Sequence, residues 1–78
     1  MLEDRIRRIM GTVFNLPPED LGPEPSVDAT AGWDSVAHLD LVISLEEHFG
    51  ISLAPEEVPA MTSFRTIVDV LRRHGVEE

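Results

Sequence analysis

A serine with an acid before it and a histidine three residues later, Asp34-Ser35-Val36-Ala37-His38, is where this chain's side-chain types suggest chemistry. Aspartate, histidine and serine are the residue types of a hydrolytic triad, in which the acid orients the imidazole and the imidazole takes the serine proton. The spacing argues against that use. Asp34 and Ser35 are chain neighbours, and neighbours on a helix point apart. No glycines flank the serine as they would in a nucleophile elbow. Read alone, Ser35 is a first-turn serine behind an aspartate cap, a common way to begin a helix.

The element that must carry Ser35 is a long amphipathic stretch. It is expected to be helical from about Ser35 to Phe49, with Asp34 as N-cap and Gly50 as the glycine just past its end. At about 100° per residue, Leu39, Leu41, Val42, Leu45 and Phe49 fall on one broad face and are assigned to the core. Val36, Asp40, Ile43 and Glu47 fall on a second face. A purely solvated face would not need Val36 and Ile43.

Other helices must cover that core. Leu2, Ile6, Ile9, Met10, Val13 and Phe14 recur at helical spacing and predict a helix from about Leu2 to Phe14. Asn15 can end it, and Pro17-Pro18 prevents continuation. Residues 15–33 form a long connection with four prolines, pinned by Leu16, Leu21 and Val27, with a short helical turn near Glu19–Leu21. A short third helix is expected from Pro55, with Glu56 and Glu57 at its positive end and Pro59 limiting its length. A last helix starts near Thr62 or Ser63, either of which can cap it, and stops at Gly75. Its core stripe is Phe64, Ile67, Val68 and Leu71, flanked by Val70. The expected fold is all-α: a four-helix bundle of three main helices and one short helix III, with residues 1–78 a single domain.

Size and charge narrow the function. A chain of 78 residues buries a modest core and has little room for a deep catalytic cleft. It has no cysteine, so thiol chemistry would need an attached group. The net charge is −9, and its distribution is uneven. From Ile9 to Phe64 there are ten acids and no Lys or Arg. That field repels nucleic acid and anionic membranes and favours basic partners. The Arg-containing N-terminus does not read as a signal peptide, and the apolar runs are too short to span a membrane, so a cytoplasmic monomer is expected. His38, His48 and His74 do not share one helix face at metal-ligand spacing, and neither Glu46-Glu47 nor Glu56-Glu57 forms a calcium loop; no metal site is expected.

Gly32-Trp33-Asp34-Ser35-Val36, Leu45-Glu46-Glu47-His48-Phe49-Gly50-Ile51 and Pro55-Glu56-Glu57 together resemble the acyl carrier protein family, at the family's spacing over roughly the whole chain. The resemblance implies a free-standing carrier, not an enzyme. It implies 4'-phosphopantetheine covalently attached to Ser35, with Asp34 flanking it, and acyl or aminoacyl groups carried as thioesters. Partners would be a phosphopantetheinyl transferase, a loading ligase, and downstream transferases or synthases with basic docking surfaces. Their docking positions carry over onto Val36, Asp40, Ile43 and Glu47, the face found independently on the wheel, with Glu46 at its edge. A phosphodiester would suit a helix N-terminus; Asp34 would then serve as the cap and as a contact for the transferase's basic patch. Trp33 reads either as a core anchor or as a flanking contact. Peptidyl carriers of assembly-line synthetases usually have Gly-Gly-x-Ser, which this chain lacks. The alternative reading is an unmodified acidic domain that binds a basic partner surface.

Overall fold

The computed structural model describes residues 2–76. Three α-helices form it: α1 (Leu2–Phe14), α2 (Ser35–Phe49) and α3 (Phe64–Arg73), with 3-10 turns at Pro18–Leu21 and Val58–Ala60. Among the described residues there is no strand, only an isolated antiparallel bridge between Ser26 and Ser63.

Local signals set the helix ends. α1 turns Leu2, Ile6, Met10 and Phe14 inward, and Asn15 ends it in the left-handed region at φ 58°. α2 begins at the Asp34 cap and ends at Gly50, which adopts φ 65° and donates its N–H to the Glu46 carbonyl. Of the two candidate caps for the last helix, Ser63 is the one used. Its hydroxyl accepts from the Thr66 N–H, and the Thr66 hydroxyl accepts from the Ser63 N–H.

The core lies where the three helices meet. Ile6, Met10, Leu41, Leu45, Met61, Ile67 and Leu71 are fully buried there. The long connection is stitched down rather than loose: Leu21, Pro25 and Trp33 are buried. Val27 N–H donates to Thr62 O at 2.9 Å and Phe64 N–H to Pro25 O at 2.8 Å, tying the connection to the start of α3.

Several expectations need correction. The short third helix does not form as an α-helix: residues 55–57 are turns leading into the single 3-10 turn Val58–Ala60. Pro59 has no N–H to give the carbonyl four residues back, and its ring would strike it. The Glu57 carboxylate instead accepts the Ala54 N–H at 2.8 Å, from within the turn. Leu39 is not a core residue but is 57% exposed. The buried side of α2 centres near Leu45, and Leu39 lies roughly 110–120° round the helix from there. The Val27 side chain is exposed rather than packed on the core, and it is the residue's backbone N–H that ties the connection down. Phe64 is only partly buried, with the Arg7 guanidinium 5.4 Å from its ring centroid, whereas Val70, expected as a flank, is buried.

Candidate functional site

The N-terminal turn of α2 gathers most of the residues in question. Asp34 has extended backbone, and its Oδ1 accepts the Ala37 N–H at 2.9 Å; its carbonyl accepts the His38 N–H at 2.8 Å. Ser35 is the first helical residue and is exposed. Among the described residues nothing hydrogen-bonds its hydroxyl. The hydroxyl therefore stands at the positive end of a well-capped helix, free to react.

Behind it sits a network that short-range sequence rules do not reveal. Trp33, 4% exposed, packs its ring on Phe14 at 5.0 Å between centroids. Its Nε1–H donates to His38 Nδ1 at 3.0 Å. On the other side of the imidazole, Nε2 lies 2.8 Å from the Val58 carbonyl oxygen. An indole N–H can only donate and a carbonyl can only accept, so the ring form that satisfies both contacts is the one with its proton on Nε2. Three elements are joined through one ring. Trp33 is thus a core anchor. The sequence carried one signal for this: on the wheel His38 lies among the buried positions of α2, where a polar ring needs partners.

These residues also border an apolar groove of about 550 Å³, lined by Val27, Trp33, Asp34, Ser35, His38, Leu39, Val58, Pro59 and Thr62. Ser35 is on its rim. Val27, Leu39 and Pro59 supply its apolar walls, none of which the sequence reading assigned to a site.

The triad arrangement is not built. The Asp34 carboxylate is engaged as a cap, and both His38 nitrogens are used by Trp33 and Val58. No nitrogen is left to take a proton from Ser35.

On the far side of α2, Val36 is 70% exposed and Ile43 52% exposed, with Asp40 and Glu47 exposed among them. Glu46 does not join that face. It is partly buried, and its Oε2 accepts the Leu53 N–H at 2.8 Å, tying the segment after α2 to its last turn. His48 lies edge-on to Phe49 at the C-terminal end, and His74 Nε2 meets Glu57 Oε1 at 2.8 Å. The Ala54 N–H, then the His74 contact, holds the Glu57 carboxyl below its ordinary range. The three histidines stay apart, and no cluster suited to a metal ion occurs among the described residues.

Fold and site together define a small helical domain that presents one exposed hydroxyl at a capped helix start, with no base among the described residues placed to activate it. A protein-family model described as a phosphopantetheine attachment site matches residues 4–73, and the chain belongs to that family. Domains of this family carry 4'-phosphopantetheine covalently on a serine, act as carriers rather than catalysts, and interact with phosphopantetheinyl transferases and biosynthetic enzymes.

Proposed function

We propose that Ser35 is the attachment residue and that residues 1–78 form a single carrier domain shuttling acyl or aminoacyl groups between cytoplasmic biosynthetic enzymes. The observation that carries this is the Ser35 hydroxyl: exposed, unbonded, and first in the capped helix of a chain in the attachment family.

The residues present suit the arm. The Ser35 and Val36 N–H groups open the helix with no acceptor among the described residues, and favour an anionic phosphodiester at that end. Asp34 cannot help hold an anion. It fixes the helix start and offers a basic transferase a carboxylate next to the hydroxyl to be modified. The apolar groove adjoining Ser35 suits the uncharged portion of the arm or a short apolar cargo. When attached, the arm supplies the thiol that forms the thioester. The protein keeps that thiol on a rigid support and offers partners a face to grip.

That face is Val36, Asp40, Ile43 and Glu47, extended by Leu39 toward the groove. Exposed apolar groups among carboxylates fit a partner surface of apolar pockets ringed by Lys and Arg. A loading ligase and downstream transferases or synthases are the expected partners.

The test is direct. Unmodified protein is incubated with coenzyme A and a broad-specificity phosphopantetheinyl transferase, and the intact mass is recorded. Wild type gains one phosphopantetheine and Ser35→Ala gains none. A wild type that stays unmodified would leave the acidic interaction domain as the better reading. A gain that survives the substitution would move the attachment to another residue.

A further inference from the structure

The triad-like spacing of Ser35 and His38 finds no use in catalysis, yet His38 is tied more tightly than any other polar side chain near the site. Its ring bridges the loop that ends at Trp33, the first turn of α2 and the Val58–Ala60 turn. We infer that His38 is a proton-released clamp: a positioning residue that, when neutral, locks Trp33 and the peptide leading into Ser35, and that lets go of Trp33 when the ring gains a second proton.

The asymmetry follows from donor and acceptor counting. Only the neutral ring protonated on Nε2 satisfies both contacts, because Nδ1 must accept the indole N–H while Nε2 donates to the Val58 carbonyl. In the imidazolium both nitrogens are donors. Nδ1–H would then face Trp33 Nε1–H across the present 3.0 Å, and the buried indole would lose its acceptor. The Val58 contact would survive and strengthen, since a charged donor makes the stronger bond. The released side is therefore the Trp33 side, directly before Asp34 and Ser35. Release there loosens one wall of the groove.

The charged surroundings do not offer the extra proton another home. At the cap of α2, Asp34 is the other ionisable residue lining the groove, and its carboxylate is held by the Ala37 N–H. From the turn before Val58, the Glu57 carboxylate is directed to the Ala54 N–H and to His74. From the long connection, Val27 and Trp33 line the groove, while Asp28 is exposed. α1 reaches this network through the apolar Phe14, whose ring packs at a tilt against Trp33.

The clamp itself does not depend on the carrier reading. One consequence does: a phosphodiester on Ser35, three residues before His38 on the same helix, would favour the imidazolium and move the release to higher pH.

Trp33 is the only tryptophan, so the emission reports the surroundings of that one ring. Unmodified protein is titrated from about pH 8 to about pH 5, the range in which imidazoles commonly change charge. Wild type should show one reversible transition in Trp33 emission. His38→Gln keeps an N–H donor for Val58 but cannot be protonated, and it should lose the transition. His48→Gln and His74→Gln should keep it. A flat wild type, a transition that survives in His38→Gln, or one that vanishes in His74→Gln overturns the clamp. Should His38→Gln fail to fold by circular dichroism, ring-nitrogen NMR of wild type decides. At the neutral end only Nε2 must carry a proton, and finding it on Nδ1 overturns the proposal. Phosphopantetheinylated protein should show the transition at higher pH; an unmoved transition there counts against the effect of Ser35 modification and leaves the clamp standing.

Discussion

α1 and α2 pack against one another but treat their outer sides differently. α1 puts its large apolar residues inward, buried or partly buried, and leaves Asp4, Arg8 and Thr12 exposed. α2 buries Leu41, Val42 and Leu45 and also exposes Val36, Leu39 and Ile43. Burying the inner set accounts for the fold. The outer set adds nothing to the core and exposes apolar surface to water, which is costly unless another surface covers it. A helix that is apolar on two sides therefore separates residues that hold the domain together from residues that the fold leaves uncovered, the ones proposed above to meet a partner.

The sharpest way to break this comparison is to truncate one residue on each side of α2. Leu41→Ala removes a fully buried side chain and should cost about 2–5 kcal/mol in urea unfolding. Ile43→Ala should stay within about 0.5 kcal/mol of wild type while weakening transfer to partner enzymes. Equal costs for the two would erase the distinction between the faces.

Charge reversal comes next. Asp40→Arg and Glu47→Arg should slow transfer several-fold with little change in melting temperature, and added salt should slow the wild type in the same way. The same salt should raise the melting temperature, because ten acids between Ile9 and Phe64 repel one another and screening shortens from ~30 Å at 0.01 M to ~10 Å at 0.1 M. The Arg65–Glu24 pair, 3.0 Å apart, shows an end-region arginine reaching back to this acidic stretch. A melting temperature flat in salt would mean that such contacts neutralise the surface, and the charge argument for docking would lose its force.

The smallest effect concerns Glu57, which holds the turn facing α2. Its carboxyl is held below the ordinary value of 4.5 by the Ala54 N–H and then by His74. A lowered folded-state value stabilises the protein above pH 4.5 and loses that contribution as pH falls through the folded value. Glu57→Gln should therefore melt below wild type at neutral pH, with the gap closing in acid. A gap that stays constant with pH would show that geometry, not charge, is what Glu57 contributes.

Much of the fold was legible because helix ends obey short-range rules. Asp34 caps with its own carboxylate, Gly50 and Asn15 supply the left-handed turn that ends a helix, and Ser63 caps through a residue three positions away. Each effect acts within about one turn, so residue types and spacing sufficed for the bounds of α1 and α2 and for the place of Ser35 as the first residue of α2. The outer face of α2 was legible for the same reason, since 3.6 residues per turn puts Val36, Asp40, Ile43 and Glu47 in one row.

Only the tertiary structure decided what meets across longer separations. His38 and Val58 are twenty residues apart, and no spacing rule pairs an imidazole with a carbonyl at that distance along the chain. Leu39 is exposed because its side of α2 borders an open groove rather than another helix, although the helical wheel places it on the core face. Glu46 turns away from the exposed row of Val36, Asp40, Ile43 and Glu47 because Leu53 offers it a backbone N–H, and the expected third helix became a 3-10 turn with Glu57 holding the Ala54 N–H before it. In each case a side chain was claimed by a backbone group or left without a neighbour. That outcome depends on which segments the packed core brings together, and a linear pattern does not contain it.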